Sequence, residues 1–115
     1  MRSAADFLES LGGDPGICVE ILEVALQESE AQITEVASLL PGANPDAARR
    51  ALHSLRGASA TFGAASFVEL MRQMESDCDA GDIDRVLGEL DRFRQSSARY
   101  RDELRAMLDE LRAMS

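Results

Sequence analysis

The chain has 115 residues, enough for one domain with a modest core. Trp is absent and Tyr and Phe are few among its apolar residues, so the composition favours helices over a β-sandwich or barrel. The net charge of −9 argues against nucleic-acid binding, because a phosphate backbone requires a basic surface.

The two cysteines, Cys18 and Cys78, lie far apart in the sequence and have no histidine beside them. We therefore predict neither a zinc site nor any other cofactor, and we prefer two reduced thiols to a disulfide. The N-terminus lacks the apolar run of a signal peptide, and no apolar stretch approaches the length of a membrane span. These features predict a cytoplasmic protein with no membrane contact.

The first predicted element is a short helix over residues 4–11, which ends at Gly12-Gly13. Asp14-Pro15 then provides a capping carboxylate followed by a first-turn proline, so a second helix is predicted from there to about Leu40. Its apolar residues recur at the spacing of an amphipathic helix, with glutamates between them. They are Ile17, Ile21, Leu22, Ala25, Ile33, Val36 and Leu40.

The same start signal recurs at Asn44-Pro45 and opens a helix over roughly 45–62, which contains His53, the single histidine. Gly63 ends this pattern. At about 100° per residue, the core-facing sector of this helix contains small and apolar side chains. They are Ala48, Ala51, Leu52, Leu55, Ser59 and Phe62. His53 lies roughly 145° from the centre of that sector, which predicts an exposed imidazole.

A fourth helix is predicted over about 64–80 and a fifth over about 83–113, with Gly81-Asp82 as the turn and cap between them. Ser96-Ser97 could interrupt the last helix, but its pattern favours one long helix with some distortion. Short connections make neighbouring helices antiparallel. The predicted fold is a single all-α domain over residues 1–115, an antiparallel up-down four-helix bundle with a short extra N-terminal helix.

The surroundings of His53 are unusual for a merely solvated histidine. Gly57 follows it by one turn, although glycine inside a helix costs about 1 kcal/mol relative to alanine. Ala60 keeps the next turn low, and Arg49, Arg50 and Arg56 make the helix locally basic, which suits a negatively charged group near the ring. No second histidine or carboxylate cluster favours a metal. These features favour a nucleophilic imidazole that a large partner can approach.

The string His53-Ser54-Leu55-Arg56-Gly57-Ala58-Ser59-Ala60-Thr61-Phe62-Gly63 resembles the signature of histidine-containing phosphotransfer (HPt) domains. That pattern is His, any residue, Leu or Ile, Lys or sometimes Arg, Gly, five mostly small residues, then Gly. The string is especially similar to the phosphoacceptor domain of chemotaxis histidine kinases. The likeness extends to the predicted bundle, with the motif on its second long helix, and so covers nearly the whole chain.

The resemblance implies roles for individual residues. His53 would take the phosphoryl group on Nε2, and Arg56, where the family usually has Lys, would screen its charge. Gly57 would leave space for the partner, and Ala60 stands where many members have Gly. In the chemotaxis members a Glu 22 residues after the histidine bonds the imidazole, and here that residue is Glu75.

The wheel of the fourth helix puts Glu75 at the edge of its apolar stripe, within reach of the neighbouring helix. A carboxylate on Nδ1–H would fix the tautomer and leave Nε2 as the nucleophile. The alternative for Glu75 is a solvated carboxylate at the rim.

The resemblance implies a phosphorelay carrier whose partners are response-regulator receiver domains, a sensor histidine kinase, or both. The net charge of −9 favours a monomer, and the sequence contains no nucleotide-binding Gly-rich loop, which predicts no autokinase activity. Mg²⁺ would be held by the receiver only. Arg49, Ser54 and Ala60 are the expected docking residues around His53. Two alternatives are a module that binds such partners without carrying phosphate, and a helical scaffold that dimerises through residues 83–113.

Overall fold

The computed structural model describes residues 1–42 and 44–115, and these residues form α-helices and no strand. The helices are α1 (Ala4–Ser10), α2 (Pro15–Leu39), α3 (Pro45–Thr61), α4 (Ala65–Asp79), α5 (Ile83–Gly88) and α6 (Leu90–Met114). The predicted all-α class is therefore confirmed. No helix in these two ranges combines the length and the apolar character that crossing a membrane requires.

The predicted helix starts are correct because they depend on local capping chemistry. The Asp14 carboxylate accepts a hydrogen bond from the Gly16 N–H at 2.9 Å, and the Asn44 side chain accepts one from the Ala47 N–H at 3.1 Å. Asp82 caps α5 in the same way through the Arg85 N–H. Gly63 has a φ of 72°, and this left-handed conformation ends α3 and turns the chain into α4.

The prediction of one helix over 83–113 is wrong, because the chain breaks at Glu89, between α5 and α6. Gly88 weakens the helix at this point, and the Glu89 N–H bonds the Val86 carbonyl, three residues back instead of four. The Ser96-Ser97 pair causes no interruption, since the buried Ser97 hydroxyl donates to the Arg94 carbonyl inside α6.

The Glu89 side chain is directed inward at this break. Oε2 of Glu89 and Oδ2 of the buried Asp77 are both shielded from solvent, and neither has a hydrogen-bond donor from the protein. Burial raises the pKa of the Glu89 carboxyl, and a hydrogen bond and the charge of Asp77 raise it further. Arg85 and Arg92 act in the opposite direction. A proton shared between Glu89 and Asp77 would satisfy both oxygens, and the Arg85 guanidinium lies 3.9 Å from Asp77 Oδ2.

The core draws on every helix, but it does not include the whole predicted stripe of α2. Leu22, Ile33 and Val36 are buried, whereas Ile17 and Ile21 are 47% and 42% exposed. The prediction that Ile17 and Ile21 share the core-facing stripe is therefore wrong, whereas it is confirmed for Leu22, Ile33 and Val36. The reason is the length of the neighbour: α3 has 17 residues and α2 has 25, so α3 cannot cover α2 along its full length.

The molecule is elongated, with extents of 46 × 20 × 19 Å. A 25-residue helix spans about 38 Å, so α2 and α6 must run along the long axis. Ion pairs link Glu23 to Arg112 and Glu30 to Arg105, so the two helices run in opposite directions. α3 contacts both α2 and α4, and the pair formed by α3 and α4 carries the candidate site.

Candidate functional site

The core-facing side of α3 fixes the direction in which His53 projects. Ala48, Leu52, Leu55 and Ser59 are buried, as the helical wheel predicts. The His53 side chain projects from the other side of the helix and is 65% exposed. The prediction of an exposed imidazole is confirmed, and a partner can reach it.

Glu75 on α4 holds one edge of the imidazole. His53 Nδ1 lies 2.9 Å from Glu75 Oε1, across the interface between α3 and α4. Glu75 is buried, so its carboxylate oxygens need hydrogen-bond donors from the protein. A carboxylate only accepts, so this contact favours the neutral tautomer in which Nδ1 carries the proton and donates it to Oε1. In that tautomer, Nε2 is unprotonated and holds a free electron pair.

Arg56 contacts the same carboxylate. Its Nε donates to Glu75 Oε2, so each carboxylate oxygen has one donor, from His53 or from Arg56. The guanidinium also lies close to the ring, with one terminal nitrogen 3.0 Å from His53 Nδ1. Because the Glu75 carboxylate is buried, its negative charge is costly, and the Arg56 cation compensates that cost. Arg56 therefore orients Glu75, and Glu75 orients His53.

Gly57 leaves open space one turn after the histidine. A Cβ added to Gly57 would meet no heavy atom within 4 Å, so packing inside the chain does not require a glycine here. Ala60, one turn further, is exposed. No packing contact within the described chain explains the missing side chain at Gly57, so the open space beside His53 is available to an external group.

The predicted docking residues lie on both sides of His53. Arg49 pairs with Asp46 at 3.2 Å and with Asp79 of α4 at 3.3 Å, which turns it toward α4. Ser54 lies on the opposite side, where its hydroxyl oxygen is 3.4 Å from the side-chain nitrogen of Gln32 on α2. Together with the exposed Ala60, these residues surround the imidazole on the face that α3 presents to solvent.

Two residues beside this face were not among the predicted site residues. Gln32 belongs to α2, and no local pattern in the sequence links it to His53. Arg50 is 67% exposed and contacts Asp46 at 3.4 Å. Arg50 and Ser54 line a shallow groove between α2 and α3, with Glu35 on the α2 side. The sequence points to Arg50 only as one of the three arginines that make α3 locally basic around His53.

Metal chemistry and thiol chemistry find no support in this structure. Within residues 1–42 and 44–115, no cluster of three or more His, Cys, Asp or Glu side chains could hold a metal ion. Cys18 and Cys78 are buried and unpaired, as predicted. Burial raises the pKa of the Cys78 thiol, and the charges of Asp77 and Asp79 raise it further, so this thiol is a poor nucleophile.

Comparison with protein-family models identifies a family for this chain. The family model described as "Hpt domain" matches residues 20–114. The matched segment includes all of α3, α4, α5 and α6 and every candidate site residue described above. No curated protein and no solved structure matches the chain.

Proposed function

The chain belongs to the Hpt domain family, which serves histidine phosphotransfer in phosphorelays, and on this premise we propose that His53 is its phosphoryl carrier. His53 accepts the group from the phosphorylated aspartate of a response-regulator receiver domain, or from a sensor histidine kinase, and passes it on. The observation that carries this proposal is the contact between His53 Nδ1 and the buried Glu75 carboxylate.

The proposed chemistry begins at Nε2. Its electron pair forms a bond to phosphorus while the bond between phosphorus and the aspartyl oxygen of the receiver breaks, and the aspartate leaves as a carboxylate. Nδ1 keeps its proton, so the phosphorylated ring is cationic, and Glu75 stabilises that charge. Transfer to a receiver is the reverse reaction. Phosphoryl transfer depends mostly on positioning and charge neutralisation, and the receiver supplies the Mg²⁺ and the acceptor aspartate.

The proposal includes a surface, a fold topology and a location. We propose that the partner docks over His53 and contacts Arg49, Ser54 and Ala60, and that the carrier is a monomer with no autokinase activity. The opposite directions of α2 and α6 support an antiparallel up-down bundle of α2, α3, α4 and α6. The two buried free cysteines support a reducing compartment such as the cytoplasm.

The direct test is transfer from phosphorylated receiver domains in the presence of Mg²⁺. We expect the native chain to acquire acid-labile label and His53→Gln to acquire none. Glu75→Gln should react at least tenfold more slowly, because an amide can donate to Nδ1 as well as accept and so fixes the tautomer less well. Equal labelling of the native chain and His53→Gln would disprove the proposal.

A further inference from the structure

Three arginines lie within one turn of His53 on α3, and they differ in what already neutralises them. A phosphoryl group on Nε2 brings up to two negative charges to the surface of a chain whose net charge is already −9. A guanidinium is well suited to such a group, because its planar fork matches two phosphoryl oxygens. Which arginine can reach the group depends on the contacts that each one already makes.

Arg56 already makes its contacts at the Nδ1 edge of the ring. Its Nε donates to Glu75, and its terminal nitrogen lies at Nδ1, whereas the phosphoryl group is bonded to Nε2. If Arg56 moved to the phosphoryl group, Oε2 of the buried Glu75 would lose the donor that Arg56 provides, and a buried acceptor without a donor is costly. Arg56 is therefore a positioning residue that acts through Glu75.

Arg49 is also held by two ion pairs. It bridges Asp46 on its own helix and Asp79 on α4, and only a third of its side chain is exposed. These two carboxylates hold the guanidinium on the α4 side of α3.

Arg50 differs from both. Its side chain is 67% exposed, and its ion-pair partner is Asp46, a carboxylate that is 66% exposed and that Arg49 shares. Exposed pairs of this kind are weak and easily exchanged. Arg50 also precedes His53 by three residues, so the two side chains are neighbours on the helix surface. Arg50 lines the groove on the α2 side of α3, whereas Nδ1 of the ring faces Glu75 on α4, so Arg50 lies on the side of the ring away from Glu75.

We propose that Arg50, and not Arg56, is the cation that contacts the phosphoryl group on Nε2 of His53. This inference rests on the proposed function, and it assigns the two arginines separate roles. Arg50 exchanges its Asp46 contact for the phosphoryl oxygens, and Arg56 keeps Glu75 and the ring in place throughout.

The test needs no protein partner. Phosphoramidate can phosphorylate a histidine directly: Nε2 bonds to phosphorus, the phosphorus–nitrogen bond of the donor breaks, and ammonia leaves. The ³¹P signal of the product, followed against pH, gives an apparent pKa for the phosphohistidine group. A nearby cation lowers this pKa, because it favours the deprotonated form.

We expect Arg50→Gln to raise the apparent pKa of the phosphohistidine by about half a unit, the size of a solvent-exposed interaction at about 5 Å. Arg50→Lys should restore most of the shift. The matched control is Arg94→Gln, which removes an exposed arginine from α6. Arg50→Gln without a shift, or with the same shift as Arg94→Gln, would overturn the inference, as would a larger shift in Arg56→Gln than in Arg50→Gln.

The outcomes separate this inference from the proposed function. If the shift occurs but no receiver domain exchanges phosphate with His53, the proposed function fails and the assignment of Arg50 stands. If receivers exchange phosphate but the shift is absent, the assignment of Arg50 fails alone. A native chain whose His53 takes no phosphate from either source contradicts both.

Discussion

At the scale of single residues, the buried Glu75 carboxylate has a donor for each of its two oxygens, whereas one nitrogen of the His53 ring has no partner within the cluster. His53 Nδ1 and Arg56 Nε satisfy the two oxygens of Glu75, so Nε2 is the free atom of the cluster. Because the cluster is assembled within α3 and α4, the contact that orients the His53 ring is present within the chain itself. Binding of the partner then need not supply the energy for orienting the ring.

Gly57 provides a prediction at this scale. Gly57→Ala should raise the free energy of unfolding by about 0.5–1 kcal/mol, because alanine favours a helix interior and the added Cβ meets nothing within 4 Å. The same methyl group occupies the surface beside His53, so transfer from a receiver should slow by about tenfold or more, since a small misplacement at the reacting centre is costly. Urea unfolding and the transfer rate measure the two effects.

The matched control is Gly88→Ala, at the end of α5, where an added Cβ likewise meets nothing within 4 Å. It should leave the transfer rate unchanged. If Gly57→Ala destabilised the protein, or transferred phosphate as fast as the native chain, the role assigned to the open space would be wrong.

The sequence predicts some residues of the site better than others for a physical reason. His53 and Gly57 lie on the same helix, so the helical wheel alone predicts that His53 is exposed and that Gly57 lies beside it. Glu75 lies on another helix, and its pairing with His53 comes from a family resemblance together with its wheel position. Arg50 pairs with Asp46 at i,i+4 spacing on its own helix, whereas the pairing of Arg56 with Glu75 depends on how α3 and α4 pack, which only the structure shows.

At the scale of elements, the same distinction explains which helix boundaries are predictable. The starts of α2 and α3 are encoded by an Asp-Pro and an Asn-Pro pair, whose capping contacts lie within three residues. The break at Glu89 follows Gly88, a local signal that the apolar pattern of residues 83–113 conceals, and the neighbouring Asp77 belongs to a different helix, so that pattern contains no sign of it. The exposure of Ile17 and Ile21 follows from the length of α3, another property that α2 does not encode.

Glu89 gives the prediction at this scale. Its pKa is raised in the folded state, so the folded chain binds a proton more tightly than the unfolded chain does. The stability from this group is complete below the ordinary pKa of a glutamate and is lost as the pH rises through the raised value. In Glu89→Gln, an amide NH₂ can donate to Asp77 at every pH, so this part of the pH dependence should disappear.

The measurement is urea unfolding of the native chain and Glu89→Gln at several pH values from 4 to 8. The variant should gain stability relative to the native chain as the pH rises. Only the native chain has a Glu89 carboxyl, which loses the proton that it directs toward Asp77. Glu110→Gln, at an exposed position on α6, is the control and should run parallel to the native chain. A constant difference between Glu89→Gln and the native chain across this range would contradict the prediction.

At the scale of the whole molecule, the exposed apolar side chains are few and do not predict a stable dimer. Ile17, Ile21 and Val24 are about half exposed and form a short strip on α2, far below the roughly 800 Å² per partner of a standard interface. We expect sedimentation equilibrium at micromolar concentration to give the monomer mass of 12.5 kDa. A mass that rises with concentration, and that Ile21→Gln reduces, would contradict this expectation.

The proportions of the molecule also affect how it rotates in solution. Because α2 and α6 run along the 46 Å axis, and backbone N–H bonds point along a helix axis, spinning about the long axis scarcely reorients their amides. Only end-over-end rotation does so, and that rotation is slower than the tumbling of a sphere of equal mass. Nitrogen spin relaxation in these two helices therefore reports the slow rotation, and an internal motion of the bundle must be judged against it rather than against an isotropic correlation time.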